Sequence, residues 1–470
     1  MALARATDPY SDPSWSGWGD PANVPELPEE VLSLLGHALG VSRPGRRPGP
    51  ISAVTLPASR LPAPVRTMLE TAIGVANVVD RDEARVRHTR GKSTPDLLRV
   101  RAGDFGAAPD LVVLPGSHQQ VLEALRICSQ HRIAVVPFGG GTSVVGGLQP
   151  RSEPFAGVIA LDPRRLNGLL GLDEVSRVAT LEVGLRGPQA ESLLGSRGFT
   201  TGHYPQSFEY ATIGGYAATR SSGQASAGYG RFDDLVVGLR VATPVGELSI
   251  GGRAPKSAAG PDLRQLILGS EGTLGVITAV SLQIRPLPER GCTRAGASIR
   301  SRMLEALGRG PEPEAGESWA RDRYRGPYLR DALLDAGALV ETLETVTFWS
   351  LLPALYAAVS GALRDSLIAQ GTPPVILCHI SHVYASGASL YFTVGCAQLK
   401  DPVEQWRRAK AAALDAILAA GGSITHHHGV GRDHRDWYER ELGPTAVEAL
   451  RAVKTELDPA GVLNPGILIP

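Results

Sequence analysis

A run of three glycines directly after an apolar stretch is the feature that most restricts how this chain can fold. The strand predicted for Ile133–Pro137 leads straight into Gly139–Gly141. A short apolar strand over Leu111–Leu114 and a helical pattern over Ser117–His131 come before it, which indicates an α/β unit ending in a glycine-rich loop. Glycine has no Cβ, so such a backbone can approach a ligand closely and point its amides at an anion.

Two common nucleotide-binding motifs do not explain this loop. The acidic residue that follows a nicotinamide-type dinucleotide fingerprint has no counterpart here. The loop also lacks the Gly-Lys-Ser/Thr ending of a P-loop. Taken alone, it is equally typical of an ordinary glycine-rich turn.

Further segments rich in small residues follow, at positions where a large planar ligand could lie against main chain. They are Thr201–His203, Phe208–Gly215, Thr219–Gly223, Tyr229–Gly230 and Gly269–Thr278. Together with the glycine-rich loop, this set resembles the FAD-binding domain of the vanillyl-alcohol-oxidase (PCMH) type, over about residues 109–287.

A narrower resemblance runs almost from end to end of the chain. It is to the alkyldihydroxyacetonephosphate synthase (alkylglycerone-phosphate synthase) family. The segments that carry it are Trp15, Trp18–Asp20, Thr201–His203, Ser298–Arg300, Tyr328–Asp331, His382–Ala388, His426–Gly431, Asp458–Pro459 and Leu463–Pro465.

The resemblance implies an α+β fold with FAD as cofactor. Residues 1–59 would form an N-terminal arm, 60–287 a two-subdomain PCMH-type FAD-binding domain, 288–420 a shortened α+β cap, and 421–470 a segment returning to the FAD domain. We expect the FAD to be non-covalent, because the flavin segments offer no obvious His or Cys tether. The implied cofactor-binding residues are Pro137, Phe138, Gly139, Gly140, Gly141, Thr142, Ser143, Gln206, Ser207, Phe208, Glu209, Tyr210, Ala211, Thr212, Thr219, Arg220, Ser221, Ser222, Glu271, Gly272, Thr273, Leu274, Gly275, Val276 and Ile277.

The family reaction exchanges the acyl group of acyl-dihydroxyacetone phosphate for a fatty alcohol, in ether-lipid synthesis. The resemblance implies Tyr384 as the proton shuttle, Arg330 as the ligand of the substrate phosphate and Arg300 as a second arginine needed for activity. A tyrosine, whose pKa is ordinarily near ~10, needs help to act as a base. The adjacent His426, His427 and His428 are the candidates to give it, with His382.

Structural roles are the alternative for several of these residues. Tyr384 could be a half-buried aromatic of a strand predicted over Leu377–Val394, and Glu271 could be a salt-bridge partner. The His triplet suggests a metal, but neighbours on an extended strand point to opposite faces, and no Cys or carboxylate is nearby in sequence. We therefore predict no metal site. Trp15 and Trp18 are predicted to anchor the arm to the body of the protein.

The chain departs from the family pattern in two places. Tyr204 and Gln206 stand where the family usually has an acidic pair. Between Pro288 and Tyr328 the family has far more residues, so we expect a reduced cap and a pocket that is open, smaller or completed by a partner subunit. Two other functions therefore stay open: an FAD-linked oxidoreductase of a small 2-hydroxy acid or alcohol, and a non-catalytic flavin-binding relic.

Composition excludes several other classes. The 470 residues carry 47 basic and 47 acidic side chains, so nothing indicates a nucleic-acid partner. Four widely spaced cysteines form neither a disulfide framework nor a thiolate metal site. With no signal peptide and no apolar run long enough to span a membrane, we expect a cytoplasmic protein with possible peripheral membrane contact. The family resemblance adds the expectation of a homodimer.

Overall fold

The computed structural model describes residues 2–6, 12–149, 151–287 and 322–469. Arg300 and most of the segment expected to be shortened lie outside these ranges. Within them the chain forms fifteen β-strands: β1 (Ala4–Arg5), β2 (Val78–Val79), β3 (Leu111–Val113), β4 (Ile133–Pro137), β5 (Gly157–Leu161), β6 (Gly168–Asp173), β7 (Val178–Glu182), β8 (Phe199–Thr200), β9 (Val236–Thr243), β10 (Gly246–Gly251), β11 (Val276–Gln283), β12 (Arg285–Pro286), β13 (Ala338–Phe348), β14 (Val375–Val383) and β15 (Gly387–Ala397).

The same ranges contain fifteen α-helices. They are α1 (Glu29–Leu39), α2 (Ala63–Ile73), α3 (Asp82–Arg87), α4 (Thr94–Arg101), α5 (His118–Gln130), α6 (Gly187–Gly195), α7 (Ile213–Thr219), α8 (Ser226–Tyr229), α9 (Phe232–Leu235), α10 (Arg264–Ile267), α11 (Gly326–Asp335), α12 (Leu352–Ala369), α13 (Pro402–Ala419), α14 (Arg435–Leu442) and α15 (Pro444–Leu457). None of these helices combines the length and the apolar character that crossing a bilayer requires.

The predicted α/β unit is present and positions the glycine-rich loop. Strands β3, β5 and β4 are parallel neighbours, and β2 pairs antiparallel with β3. Helix α5 connects β3 to β4, as a parallel crossover requires. It begins where the Ser117 hydroxyl accepts a hydrogen bond from the Gln120 amide, and Val121 and Leu125 on its apolar face are fully buried.

A second, antiparallel sheet completes the FAD-binding part of the chain. Its strand order is β1-β6-β7-β11-β9-β10, and β9 and β10 form an antiparallel hairpin. Side chains from both sheets meet in one core, in which Val135 and Ile159 of the parallel sheet join Leu181 and Val280 of the antiparallel sheet. All four are fully buried. The glycine-rich loop is therefore attached to a well-packed core.

The cap is a three-stranded antiparallel sheet, β13-β15-β14, with α12 and α13 packed on one face. Side chains alternate between the faces of a strand. Leu343 and Phe392, which are cross-strand partners, face the helices, whereas the next pair, Glu344 and Tyr391, faces the other way. The polar face of the sheet thus lies away from the helical layer.

The strand predicted over Leu377–Val394 is two strands. The chain reverses at Tyr384–Ser386, where the Tyr384 amide donates to the Gly387 carbonyl at 2.8 Å. The apolar pattern continues on both sides of this turn, so periodicity alone does not reveal it. Tyr384 consequently stands at the tip of a hairpin, 37% exposed, and not within a strand.

The C-terminal segment lies against the glycine-rich loop. The Asn464 amide donates to the Val135 carbonyl at 2.8 Å, and its side-chain Nδ2 donates to the carbonyls of Gly147 and Glu271 at 3.1 and 2.7 Å. One asparagine thereby connects β4, the loop after it and the segment around Glu271. Val135 and Leu463 also form a parallel bridge.

Candidate active site

A small cleft lies at the glycine-rich loop. Main chain of Gly139–Gly141 forms one wall, and basic side chains form much of the rest. The lining residues are Asp12, Pro13, Ser14, Arg87, His88, Lys92, Phe138, Gly139, Gly140, Gly141, Arg164 and Arg186.

Two glycines of the loop are needed for packing against the chain itself. A Cβ added to Gly140 would lie 2.0 Å from the Tyr210 carbonyl oxygen, and one added to Gly139 would lie 2.6 Å from the Thr212 hydroxyl. Gly141 has a φ of +70°, which L side chains rarely adopt. The loop therefore combines close contact with residues 210–212 on one side and an open cleft on the other.

The other predicted flavin segments lie next to this loop. A Cβ on Gly272 would lie 2.7 Å from the Pro137 ring, and the Glu271 amide donates to the Ala218 carbonyl at 2.9 Å. All four segments, 137–143, 206–212, 219–222 and 271–277, thus belong to one region. Gln206 at the edge of this region is exposed.

Sequence reasoning missed the cations of the cleft. Arg87, Lys92, Arg164 and Arg186 come from four separate parts of the sequence, and no local pattern singles them out among the chain's many arginines. Main-chain amides with fixed positive charges are typical of anion sites. The donor set of the cleft therefore fits the diphosphate of FAD.

A buried ion network fixes one side of the cleft. The Asp162 carboxylate lies 2.9 Å from His88 Nε2 and 2.7 Å from Arg164 Nη2. Burial opposes ionisation of Asp162, but Arg164 and His88 outweigh it and lower its pKa to about 2. Arg164 also reaches the Asp12 carboxylate at 3.0 Å. Its position is therefore set by two carboxylates.

The N-terminal arm covers the cleft. Its carbonyl oxygens accept hydrogen bonds from three cations: Pro13 from Arg87 at 2.8 Å, Ser14 from Lys92 at 2.5 Å and Ser16 from Arg101 at 3.0 Å. Burial lowers the pKa of Lys92 to about 7.

Trp18 fixes the end of this covering segment. Its amide donates to Asp331 Oδ2 at 2.5 Å, its ring packs edge-on against Tyr210, and the residue is 4% exposed. Trp15 packs against Phe105 with 5.8 Å between ring centroids. Both tryptophans contact the body of the protein.

A cluster of aromatic and imidazole side chains forms a second centre. The Tyr384 hydroxyl lies 2.5 Å from His426 Nε2, and His426 Nδ1 lies 2.9 Å from His427 Nδ1. His382 stacks beside both, and its Nε2 lies 3.2 Å from the Gly223 carbonyl. Since Gly223 directly follows the predicted flavin segment 219–222, this histidine cluster adjoins that segment.

The imidazoles of His382, His426 and His428 are neutral near pH 7. Burial lowers the pKa of His426 to about 3 and those of His382 and His428 to about 4. Burial raises the pKa of Tyr384, which opposes formation of its anion. A neutral imidazole can accept a proton, so His426 is placed to receive the one carried by Tyr384.

Glu344 of β13 lies under the His triplet and was missed by sequence reasoning. Its Oε1 accepts hydrogen bonds from the amides of His426, His427 and His428 at 2.7, 2.8 and 2.9 Å. These bonds curve the segment, so the triplet is not the extended strand that was expected. No sequence pattern connects residue 344 with residue 426, because the contact is tertiary.

A second buried carboxylate holds the residues after the triplet. Glu271 Oε1 accepts from the Val430 amide at 2.7 Å, and Oε2 accepts from the Gly431 amide at 2.9 Å. Burial raises the pKa of Glu271 to about 7. The salt-bridge alternative for Glu271 is therefore wrong within the described residues, since its carboxylate bonds to backbone amides and not to a cation.

Three histidines have the spacing of a metal site. One nitrogen from each of His382, His426 and His427 lies within 4.8 Å of the others. Contrary to the reasoning from sequence, a carboxylate, Glu344, is close to two of them. Each histidine also has a protein partner: the Gly223 carbonyl for His382, the Tyr384 hydroxyl for His426, and His426 itself for His427. The absence of a metal site stays a prediction.

Arg330 connects the cleft with the cap. Its Nη1 donates to the Lys92 carbonyl at 2.6 Å, and its Nε and Nη2 lie 3.3 and 3.1 Å from Asp331 Oδ1. The ring of Tyr391 stacks on His427. Burial raises the pKa of Tyr391 to about 12, and the charge of Arg330 acts in the opposite direction. Arg330 thus contacts Lys92 of the cleft and acts electrostatically on a neighbour of the histidine cluster.

Comparison with known proteins agrees with this arrangement. Residues 109–251 match the family "FAD binding domain", and residues 298–468 match "FAD linked oxidases, C-terminal domain". The chain is 30% identical to an alkyldihydroxyacetonephosphate synthase of Dictyostelium discoideum, over 98% of this chain and 94% of that protein. It is 28% identical to the enzyme of the same name from Trypanosoma brucei brucei, over 100% and 94%.

A solved structure of an alkyldihydroxyacetonephosphate synthase has the same fold. It superposes with a TM-score of 0.78 at 27% identity, covering 98% of this chain and 99% of that chain. The alignment with the Dictyostelium protein extends over 581 positions, whereas this chain has 470 residues, so that relative has residues without a counterpart here. The chain belongs to the alkyldihydroxyacetonephosphate synthase family and is an FAD-dependent enzyme.

Proposed function

We propose that this enzyme exchanges the acyl group of acyl-dihydroxyacetone phosphate for a fatty alcohol, as a step of ether-lipid synthesis. The observation that carries the proposal is the 2.5 Å contact between the Tyr384 hydroxyl and His426 Nε2, next to the flavin segment that ends at Gly223. A tyrosine paired with a neutral imidazole is a proton-transfer pair, and the exchange requires a proton to be removed from and returned to the substrate.

FAD would supply the electrophile that holds the substrate while the acid leaves and the alcohol enters. The chain's own residues would do the rest. Gly139–Gly141, Arg87 and Lys92 bind the cofactor's diphosphate at the cleft. Tyr384 takes the substrate proton after passing its own to His426. We propose that this FAD is held without a covalent bond.

Arg330 is proposed to bind the substrate phosphate. Its guanidinium contacts the Lys92 carbonyl at the cleft, and its charge acts on Tyr391, which stacks on His427 of the histidine cluster. A planar guanidinium suits a phosphate in geometry as well as charge. Its contact with Asp331 would then be shared with, or replaced by, the phosphate.

An exposed apolar edge beside Tyr384 supports a lipid-like substrate. Phe348 is 65% exposed and Trp349 42% exposed, and the Trp349 indole donates to the Tyr384 carbonyl at 3.2 Å. Leu351, whose amide donates to the Phe348 carbonyl, is exposed beside them. Grouped apolar exposure of this kind marks contact with lipid or protein. We propose a fatty alcohol as second substrate, peripheral membrane contact in the cytoplasm, and a homodimer.

The test follows acid release and the flavin spectrum together. Purified protein is mixed without oxygen with acyl-dihydroxyacetone phosphate, and flavin bleaching and free fatty acid are measured. Tyr384→Phe should lose activity by ~10²–10⁴-fold, the usual contribution of a general acid or base, while retaining its FAD. Tyr356→Phe, in the exposed surface of α12, is the matched control and should keep full activity.

Two outcomes would overturn this proposal. Flavin that stays unchanged with this substrate but is bleached by a 2-hydroxy acid or another small alcohol would identify an oxidoreductase. If neither acyl-dihydroxyacetone phosphate nor a 2-hydroxy acid or small alcohol bleaches the flavin, the remaining interpretation is a non-catalytic flavin-binding relic.

A further inference from the structure

Glu344 is buried beneath the histidine cluster without a lysine or arginine partner among the described residues. Its side chain is 1% exposed, and the titratable groups within ion-pair distance are His426 and His427. A buried carboxylate normally needs a cation or several donors. Burial opposes ionisation of Glu344, but its interactions with the surrounding histidines, His427 first, outweigh burial and hold the pKa of Glu344 well below its ordinary value.

The two oxygens of this carboxylate do different things. Oε1 holds the loop, accepting from Thr425 Oγ1 at 2.7 Å and from the three amides of His426–His428. Oε2 is buried and has no hydrogen-bond partner among the residues that the structure describes. It lies 3.2 Å from His427 Nδ1 and 3.7 Å from His426 Nδ1. One oxygen therefore accounts for the fold of the loop, and the other points at the imidazole pair.

We propose that Glu344 is a positioning residue that makes Tyr384 competent as a base. The proton moves in two transfers: from the Tyr384 hydroxyl to His426 Nε2, and from His426 Nδ1 to His427 Nδ1. Tyr384 becomes an anion, His426 stays neutral with its proton now on Nε2, and His427 becomes a cation. The new N–H of His427 then lies 3.2 Å from Glu344 Oε2, which gains its missing donor.

This inference rests on the proposed function. It addresses one difficulty of that proposal, which is that a buried tyrosine is a poor base on its own. Burial raises the pKa of Tyr384, so the isolated hydroxyl would be a poorer base than in water. A carboxylate next to the final proton position stabilises the separated charges, since opposite charges a few ångströms apart attract strongly away from solvent. The tyrosine and the carboxylate need not touch, because the two imidazoles connect them.

Three variants separate this role from support of the loop. Glu344→Gln keeps the shape and a carbonyl oxygen for the loop amides but removes the charge. Glu344→Ala removes both. Glu341→Gln is the matched control, because Glu341 is also buried in β13 but faces the helices and accepts from the Thr94 amide.

We expect Glu344→Gln to lower kcat by ~10²-fold with KM and melting temperature nearly unchanged, by analogy with loss of a general acid–base group. Glu344→Asp should restore part of that loss, and Glu341→Gln should keep the wild-type kcat. If Glu344→Gln keeps kcat within about threefold of wild type while Glu344→Ala loses it, the carboxylate only supports the loop and the proposal is wrong.

A second measurement tests the role of Glu344 in the resting enzyme, without substrate turnover. In protein labelled with ¹⁵N-histidine, the Nδ1 resonance of His427, assigned with His427→Gln, should lie further toward the protonated position in wild type than in Glu344→Gln at about pH 6. Identical resonances in the two proteins would reject the role of Glu344. A clear difference in an enzyme that does not release fatty acid would instead reject the proposed reaction and retain the proton path.

Discussion

The cleft and the histidine cluster differ in the kind of charged group that they contain. The cleft consists of main chain and mainly of arginines, whose charge does not change near neutral pH, with Lys92 as the exception. The histidine cluster consists of titratable side chains from the cap hairpin and the C-terminal segment, held by two buried carboxylates. Constant charge is suited to binding an anion, whereas groups that gain and lose protons are suited to acid–base catalysis. We therefore propose cofactor retention for the cleft and proton transfer for the histidine cluster.

The largest expected effect concerns the cleft. Gly140→Ala would place a Cβ 2.0 Å from the Tyr210 carbonyl, so main chain must move against main chain. We expect loss of bound FAD and a destabilisation of ~1–3 kcal/mol or more, as for overpacked sites. The visible spectrum and urea unfolding measure these. Gly361→Ala, in α12 with open space around its Cα, is the control and should not destabilise. If the Gly140→Ala protein keeps its bound FAD and its wild-type stability, the close main-chain contact at Gly140 is not required for FAD binding.

The next prediction concerns Glu271, the buried carboxylate that holds the residues after the His triplet, and the pH dependence of stability that it causes. Burial raises the pKa of Glu271 from 4.5 to about 7. The folded protein thus binds an extra proton between these pH values, and its stability must fall as pH rises through this window. We expect the free energy of unfolding of wild type, relative to Glu271→Gln, to fall by about 3 kcal/mol from pH 4.5 to pH 7 and to stay level above it. Urea unfolding at several pH values measures this, and parallel curves for the two proteins would contradict it.

The smallest effect concerns the arm over the cleft. Lys92→Met removes the hydrogen bond to the Ser14 carbonyl and one cation that lines the cleft. Loss of about 1.4 kcal/mol would raise the dissociation constant of FAD about tenfold. The fluorescence of FAD released on dilution reports it. Lys256→Met, at an exposed position, is the control. Equal FAD affinity in the two variants would show that the arm does not contribute to binding.

The same contrast explains what the sequence could predict. The α/β unit is a local pattern, so its elements were predicted by position. The four flavin segments were implied by the family resemblance, and the structure brings them into one region. The cations Arg87, Lys92 and Arg164 were missed because they converge only in three dimensions. Glu344 was missed for the same reason, and the turn at Tyr384 was hidden because apolar periodicity continues through it.

The arm that covers the cleft has a consequence for the order of events during synthesis. Trp18 leaves the ribosome early, but its partner Asp331 lies 313 residues later in the chain. At ordinary rates of synthesis that interval lasts roughly 15–60 s. The glycine-rich loop is made roughly 190 residues before Asp331, so it exists for about 10–40 s before the cover can be fastened at Trp18. The order of residues in the gene therefore leaves this loop uncovered during part of synthesis.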